Sequence, residues 1–216
     1  EQQNLKKEMT PEEQKEAARQ ARIAEKKAAE RAAKEKSEKA KRELIKFNKD
    51  AKQARTVLAN TSVTAIGDSV MLSAATDLRT NMPKLTVDAS IGRQVDEAID
   101  VLKAKQANGQ IANTVLIGLG SNGTFTEEQF KEIYDILGPK RHIYLINVRV
   151  PRSWQGSVNK TLSNAAKAHQ NVTLIDWYHK STKRKNIFYD DKIHPNVEGS
   201  KYYADLIAIK ISKTMQ

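Results

Sequence analysis

Val63-Thr64-Ala65-Ile66-Gly67-Asp68-Ser69-Val70 is the stretch on which the fold turns. A short apolar run with β-branched residues is ended by a glycine, and Asp-Ser then opens a segment in which Met71, Leu72 and Ala75 recur with helical spacing. Strand, tight turn and helix make the start of a βα unit. The alternation continues along the chain. Apolar runs at 85–89, 114–119, 142–148 and 172–175 read as further strands. Between them Val95, Ala98, Ile99 and Leu102 fall at i, i+3, i+4 and i+7, one apolar stripe for a sheet to cover. Thr126 opens a helix over 127–137 that Gly138-Pro139 ends, and a last helix over 196–211 is entered through Pro195. Strands alternating with helices predict parallel strands joined by crossovers, hence an α/β fold: a doubly wound three-layer sandwich. Reactive groups in such sheets collect at the carboxyl ends of the strands. Ser69, after the first strand, and Asn122, after the third, are both placed there.

Residues 1–60 have a different composition. They are rich in Ala, Lys, Glu, Gln and Arg and hold too few large apolar side chains to build a core. Thr10-Pro11-Glu12-Glu13 reads as a helix start: Thr10 caps, Pro11 suits the first helical position, and Glu13 reaches back. Opposite charges four residues apart come after it, as in Glu30 with Lys34, Glu35 with Lys39 and Glu38 with Arg42. No apolar heptad is sustained, so a long, solvated, charge-laced helix is expected rather than a coiled coil. Apolar content rises between Leu44 and Leu58, and the last turns are expected to dock on the globular domain. The division is a helical stalk over 1–60 and a globular domain over 61–216.

The 216 residues carry a net charge of +11 and no cysteine. Disulfides and thiolate metal sites are thereby excluded. Residues 1–60 hold 17 Lys and Arg against 11 acids, and residues 61–216 hold 20 against 15, so no basic stripe dominates. Without aromatic residues interleaved among the cations, nucleic acid is not expected as a partner. No stretch approaches the roughly 20 apolar residues that cross a bilayer. The chain begins at Glu1, which suggests a piece of a longer protein.

Far from the first motif stands Asp191-Lys192-Ile193-His194. A serine hydroxyl is a weak nucleophile until a base takes its proton, and an imidazole oriented by a carboxylate is the usual base. Ser69, at the mouth of a helix, also offers its amide to a developing oxyanion. His194 lies in a loop before a proline, and Asp191, three residues earlier, can orient it; Asp190 is the neighbouring alternative. His142, His169 and His179 have weaker cases: the first begins a strand, the second ends a polar helix, the third sits in a basic stretch. Trp154, among Arg149, Arg152 and Gln155, reads either as a platform for a sugar face or as a loop anchor. Arg93 is a candidate for donor or acceptor contact. Trp177 and Tyr178 read as core or interface. No metal or cofactor is called for.

Gly67-Asp68-Ser69, Gly92, Gly120-Ser121-Asn122 and Asp191-x-x-His194, in that order, resemble the four sequence blocks of the SGNH (GDSL-type) hydrolases and acyltransferases. The resemblance implies a flavodoxin-like parallel sheet (the SGNH fold), with Ser69 as nucleophile, His194 as base and Asp191 as its orienter. It also implies an oxyanion hole from the amides of Ser69 and Gly92 and the side chain of Asn122. Gly123 stands where the family commonly has Asp. That departure, with 89–94 and 148–154, resembles one branch: the extracellular catalytic domains of bacterial peptidoglycan O-acetyltransferases. The branch implies acetyl transfer to muramoyl hydroxyls of a peptidoglycan acceptor, with the acetyl donor supplied by a preceding membrane domain and the charged helix as connector. A carbohydrate esterase with the same triad is the alternative, and a non-catalytic wall-binding protein a further one.

A long exposed helix held by propensity and charge pairs is expected to fray at its start. Amide exchange near Glu12 should therefore be much faster than in the sheet; equal protection would contradict this reading.

Overall fold

The structure, a computed structural model, describes residues 9–215. In chain order the elements are α1 Pro11–Leu58, β1 Val63–Gly67, α2 Ser69–Ser73, α3 Ala75–Asn81, β2 Leu85–Ala89, α4 Val95–Ala107 and β3 Thr114–Gly118. They continue with α5 Glu127–Leu137, β4 His142–Ile146, α6 Gln155–Ala168, β5 Val172–Ile175, α7 Trp177–Thr182 and α8 Val197–Thr214. The five strands form one parallel sheet in the order β2-β1-β3-β4-β5. The fold is the expected α/β sandwich, and the strand order is that of a flavodoxin-like sheet.

The chain divides into two compact units, one ending at Lys49 and the other starting at Asp50. In the first, Thr10 and Glu13 form the capping box: the Thr10 amide donates to Glu13 Oε2 at 2.8 Å, and the Glu13 amide to Thr10 Oγ1 at 3.3 Å. Glu38 and Arg42 lie 3.9 Å apart, both exposed. Among the described residues no helix is long and apolar enough to cross a membrane.

Central strands β1 and β3 are buried on both faces, which is why they read as unbroken apolar runs rather than alternating ones. Side chains still alternate across the sheet. Ile66, Val115, Ile117, Ile143 and Leu145 enter one core with α4, α5 and α6, built around Ile99, Leu102, Phe130, Ile133, Val158 and Leu162. The opposite face carries α3 packed on α8, with Leu58, Met71, Leu78, Tyr203 and Ile207 among its buried side chains. Burial of each such side chain is worth about 1.5–3 kcal/mol.

Register brings the working ends of the strands level. Gly67 pairs with Ala89 on one side and Gly118 on the other, so three chain segments leave the sheet side by side. A Cβ on Gly67 would lie 2.5 Å from Met71 Cβ, so only glycine lets α2 turn this close beneath the strand end.

Three boundaries differ from expectation. The third and fourth strands stop at Gly118 and Ile146, although Leu119 and Val148 beyond them are still buried. The apolar run tracks the core, not the pairing. The helix after β1 is broken at Ala74, whose amide bonds back to Met71 O, giving α2 and α3. Trp177 is core, as expected, and sits on a short helix with Tyr178 and His179.

One buried polar cluster joins three helices of the second unit. Asp205 on α8 is 2% exposed. Its Oδ1 accepts from Asn81 Nδ2 at 2.9 Å and from Arg55 at 3.2 Å, while Lys201 reaches Oδ2 at 2.9 Å. Arg55 Nε also donates to Asn81 Oδ1 at 2.8 Å. Ala51, Ala54 and Leu58, on the same stretch of α1 as Arg55, are buried. Removing the carboxylate strands the buried amide of Asn81 and frees the half-exposed Arg55, so Asp205→Ala should lower unfolding free energy by about 2 kcal/mol. Urea titration should show a lower midpoint at unchanged slope.

Candidate active site

Ser69 sits at the first turn of α2 and is 7% exposed. Its neighbour Asp68 is the helix cap: Oδ1 accepts from the Val70 amide at 3.0 Å. The second oxygen, Oδ2, accepts from the Ser121 amide at 3.1 Å. One buried carboxylate therefore fixes both the helix that carries Ser69 and the turn that carries Asn122. Burial pushes its carboxyl pKa above the ordinary carboxylate range, and the amides of Val70 and Ser121 act against that shift. In the sequence Asp68 stands out only as part of a motif; an acid immediately before a helix is the one signal there for this role.

His194 Nε2 lies 2.9 Å from Ser69 Oγ, and its Nδ1 lies 2.6 Å from Asp191 Oδ2. A carboxylate only accepts, so Nδ1–H donates to it and Nε2 is left to accept the serine proton. Asp191 Oδ1 meanwhile accepts from the Ile193 and His194 amides, at 2.9 and 3.0 Å. Slight burial raises the Asp191 pKa, but the bonds from the His194 ring and from the two amides outweigh it and hold the carboxyl at about 2. The tight turn is made by Lys192 at φ 59°, a left-handed conformation that a side chain rarely adopts.

The histidine loop is pinned from below. Phe188 and Pro195 form an isolated bridge, and the Tyr189 amide donates to His194 O at 3.0 Å. Asn196 caps α8 through Gly199, and a Cβ on Gly199 would lie 1.9 Å from Ile187 O. The first turn of α8 is thus pressed against the loop.

Gly92 turns at φ 75° after β2, where glycine meets no steric penalty. Its loop is bonded to that of Asn122: Asn122 Nδ2 donates to Arg93 O at 3.4 Å, and Gln94 Nε2 to Asn122 O at 3.0 Å. Arg93, expected to face a substrate, has a side chain only 10% exposed and turned inward. It donates to Asp88 O at 2.7 Å, to Asp88 Oδ1 at 2.8 Å and to Gly67 O at 3.4 Å. Arg93 therefore anchors the loop across the ends of β1 and β2. An acid five residues before it is the sequence signal for that role. Trp154 donates from Nε1 to Gly120 O at 3.2 Å, which makes it an anchor of the turn before Asn122. Of the other histidines, His142 is exposed at the start of β4 and His169 stacks on Tyr134, ring centroids 4.0 Å apart. His179 is bonded to Asp176. Among the described residues no group of three or more His, Asp or Glu is placed to hold a metal ion.

Over 166 residues, 77% of its length, the chain is 37% identical to the peptidoglycan O-acetyltransferase OatA of Listeria monocytogenes, of which the match covers 26%. It is 38% identical over 152 residues to the O-acetyltransferase OatA of Staphylococcus aureus, covering 70% of this chain and 24% of that protein. Over this region the chain is thus similar to proteins named as O-acetyltransferases. Among solved structures, the C-terminal catalytic domain of OatA from Streptococcus pneumoniae superposes with a TM-score of 0.64 at 23% identity, over 73% of this chain and 96% of that one. A lipolytic G-D-S-L protein from Veillonella parvula superposes at 0.57 with 14% identity, over 72% and 100%, and shares the fold. No protein-family model matches the chain. The chain spans about a quarter of the length of the curated relatives it matches. The Ser69 and His194 motifs thus meet through hydrogen bonds, and the loop after Gly92 is bonded to Asn122.

Asp191 should be ionised across any working pH. Its folded pKa is depressed, so its share of stability is present above about pH 4 and is lost as pH falls toward 2. Asp191→Asn should remove that part of the acid sensitivity, read from unfolding midpoints between pH 2 and 5. The same change should lower kcat for an acetyl ester on the order of 10⁴-fold, because the wrong tautomer of His194 is favoured.

Proposed function

We propose that this chain is the catalytic part of a peptidoglycan O-acetyltransferase, with Ser69 as nucleophile, His194 as base and Asp191 as its orienter. One observation carries the reading: the Ser69 hydroxyl lies 2.9 Å from an imidazole whose other nitrogen is held by a carboxylate. The relatives over this region, named as peptidoglycan O-acetyltransferases, supply the substrate class.

In the first half-reaction His194 takes the Ser69 proton as Oγ attacks the acetyl carbonyl. The carbonyl oxygen becomes an anion, met by the amides of Ser69 and Gly92 and by Asn122 Nδ2, with the helix of Ser69 adding its dipole. Collapse expels the donor's alcohol, which takes the proton back from His194, and leaves acetyl-Ser69. In the second half-reaction a muramoyl hydroxyl loses its proton to His194 and attacks the acetyl ester. A second tetrahedral anion forms and collapses, and Ser69 regains its proton. Such preorganised donors are each worth roughly 10²–10³ in rate. Water in place of the sugar gives hydrolysis, so transfer rests on acceptor binding. A cell-wall acceptor would put this chemistry outside the cell membrane, and a membrane domain of the intact protein would deliver the acetyl group.

The test is acetyl transfer from p-nitrophenyl acetate with and without a β-1,4-linked N-acetylhexosamine acceptor, for this chain and for Ser69→Ala. Acetylated glycan that disappears in the variant is expected. Serine-dependent hydrolysis that ignores the glycan would make the chain an esterase, and turnover indifferent to Ser69 would overturn the reading.

A further inference from the structure

Asp-x-x-His occurs twice in this chain. Asp176-Trp177-Tyr178-His179 repeats the spacing of Asp191 to His194, and it repeats the bonding as well. His179 Nδ1 lies 3.0 Å from both Asp176 oxygens, and the His179 amide donates to Asp176 Oδ1 at 3.2 Å. The carboxylate is itself fixed, since Asn147 Nδ2 donates to Oδ1 at 2.9 Å. Nδ1 being engaged, Nε2 of this 68% exposed ring is turned away from the carboxylate and left as an acceptor. An oriented imidazole with no nucleophile of its own is equipped to bind a hydroxyl, not to activate a serine.

The dyad lines a groove of about 330 Å³ with Tyr178, Gln155, Asn159, Ser163 and Leu174 among its walls. Asn159 is occupied at both ends by the backbone of Val148, and Gln155 Oε1 accepts from Val150. The hydroxyls of Tyr178 and Ser163 and the Gln155 amide nitrogen make no hydrogen bond among the described residues. Donors, acceptors, an aromatic ring and an apolar floor in one open groove suit a sugar chain better than an ion or a lipid.

Position supplies the partner. The groove lies past the carboxyl ends of β4 and β5, the same end of the sheet as Ser69, two to three strand spacings away or roughly 10–14 Å. The β4–α6 loop lies between the two: its Trp154 is bonded to the turn before Asn122, and the next residue, Gln155, lines the groove. We infer that the His179 groove is a distal subsite for the glycan strand, holding sugars beyond the one that faces Ser69. This rests on the acetyltransferase reading above and gives its acceptor a length requirement.

Binding is measured in the Ser69→Ala background, by calorimetric titration with chitohexaose and with chitobiose, while the His179 ring is followed by NMR. Chitohexaose is expected to bind more tightly and to move the His179 signals. Adding His179→Ala or Tyr178→Ala should weaken chitohexaose about tenfold, the effect of losing one good contact, and leave chitobiose unchanged. Unaltered circular dichroism and unfolding midpoint would establish that the variants are folded. Equal affinity for the two lengths, a silent His179 signal, or no binding of chitohexaose overturns the subsite. If Ser69-dependent acetyl transfer to chitohexaose persists in any of those cases, the groove alone fails. If transfer fails while chitohexaose still moves His179, the catalytic reading alone fails.

Discussion

A single buried carboxylate holds the site together. Asp68 is 1% exposed, yet it accepts from Val70 at the mouth of α2 and from Ser121 in the turn after β3. Burying it raises its proton affinity, and the two amides compensate in part. Removal would leave both donors unmatched in the interior, where each costs about 1–3 kcal/mol. The arrangement also explains why β1 and β3 must be neighbours: only adjacent parallel strands ending level at Gly67 and Gly118 bring one side chain within reach of both loops. Other supports build on that one. Arg93 ties the Gly92 loop to the ends of β1 and β2, and Trp154 ties the β4–α6 loop to Gly120.

Most of the architecture is legible in the sequence because buried parallel strands write themselves as short apolar runs between helical periods. The ends of those runs are not, since Leu119 and Val148 are buried by side chains rather than by strand pairing. Ser69, His194 and Asp191 are legible as chemistry, and spacing within Asp191-x-x-His194 suffices to pair two of them. That His194 meets Ser69 is a contact across 125 positions, which only the fold creates. Arg93 and Trp154 show the opposite limit. Beside a motif, such residues read as ligand contacts, whereas their hydrogen bonds go to Asp88, Gly67 and Gly120, partners that become visible only in three dimensions. His179 reads as one more residue of a basic stretch, and its bond to Asp176 emerges only with the short helix α7.

The hydroxyl and the imidazole have different foundations. Ser69 is fixed by the sheet, through Gly67 and Asp68. His194 is fixed by the end of the chain, through the bridge at Phe188 and Pro195 and the contact of Gly199 with Ile187 O.

That division bears on synthesis. A chain growing from its N-terminus completes β1, α2 and the loops around Gly92 and Asn122 long before α8 exists, and until α8 docks nothing presents the imidazole to Ser69. The nascent chain therefore carries Ser69 without its imidazole partner. The Ser69–His194 hydrogen bond can form only once α8 seats, so a polypeptide stalled or clipped before that point keeps its serine without an oriented partner.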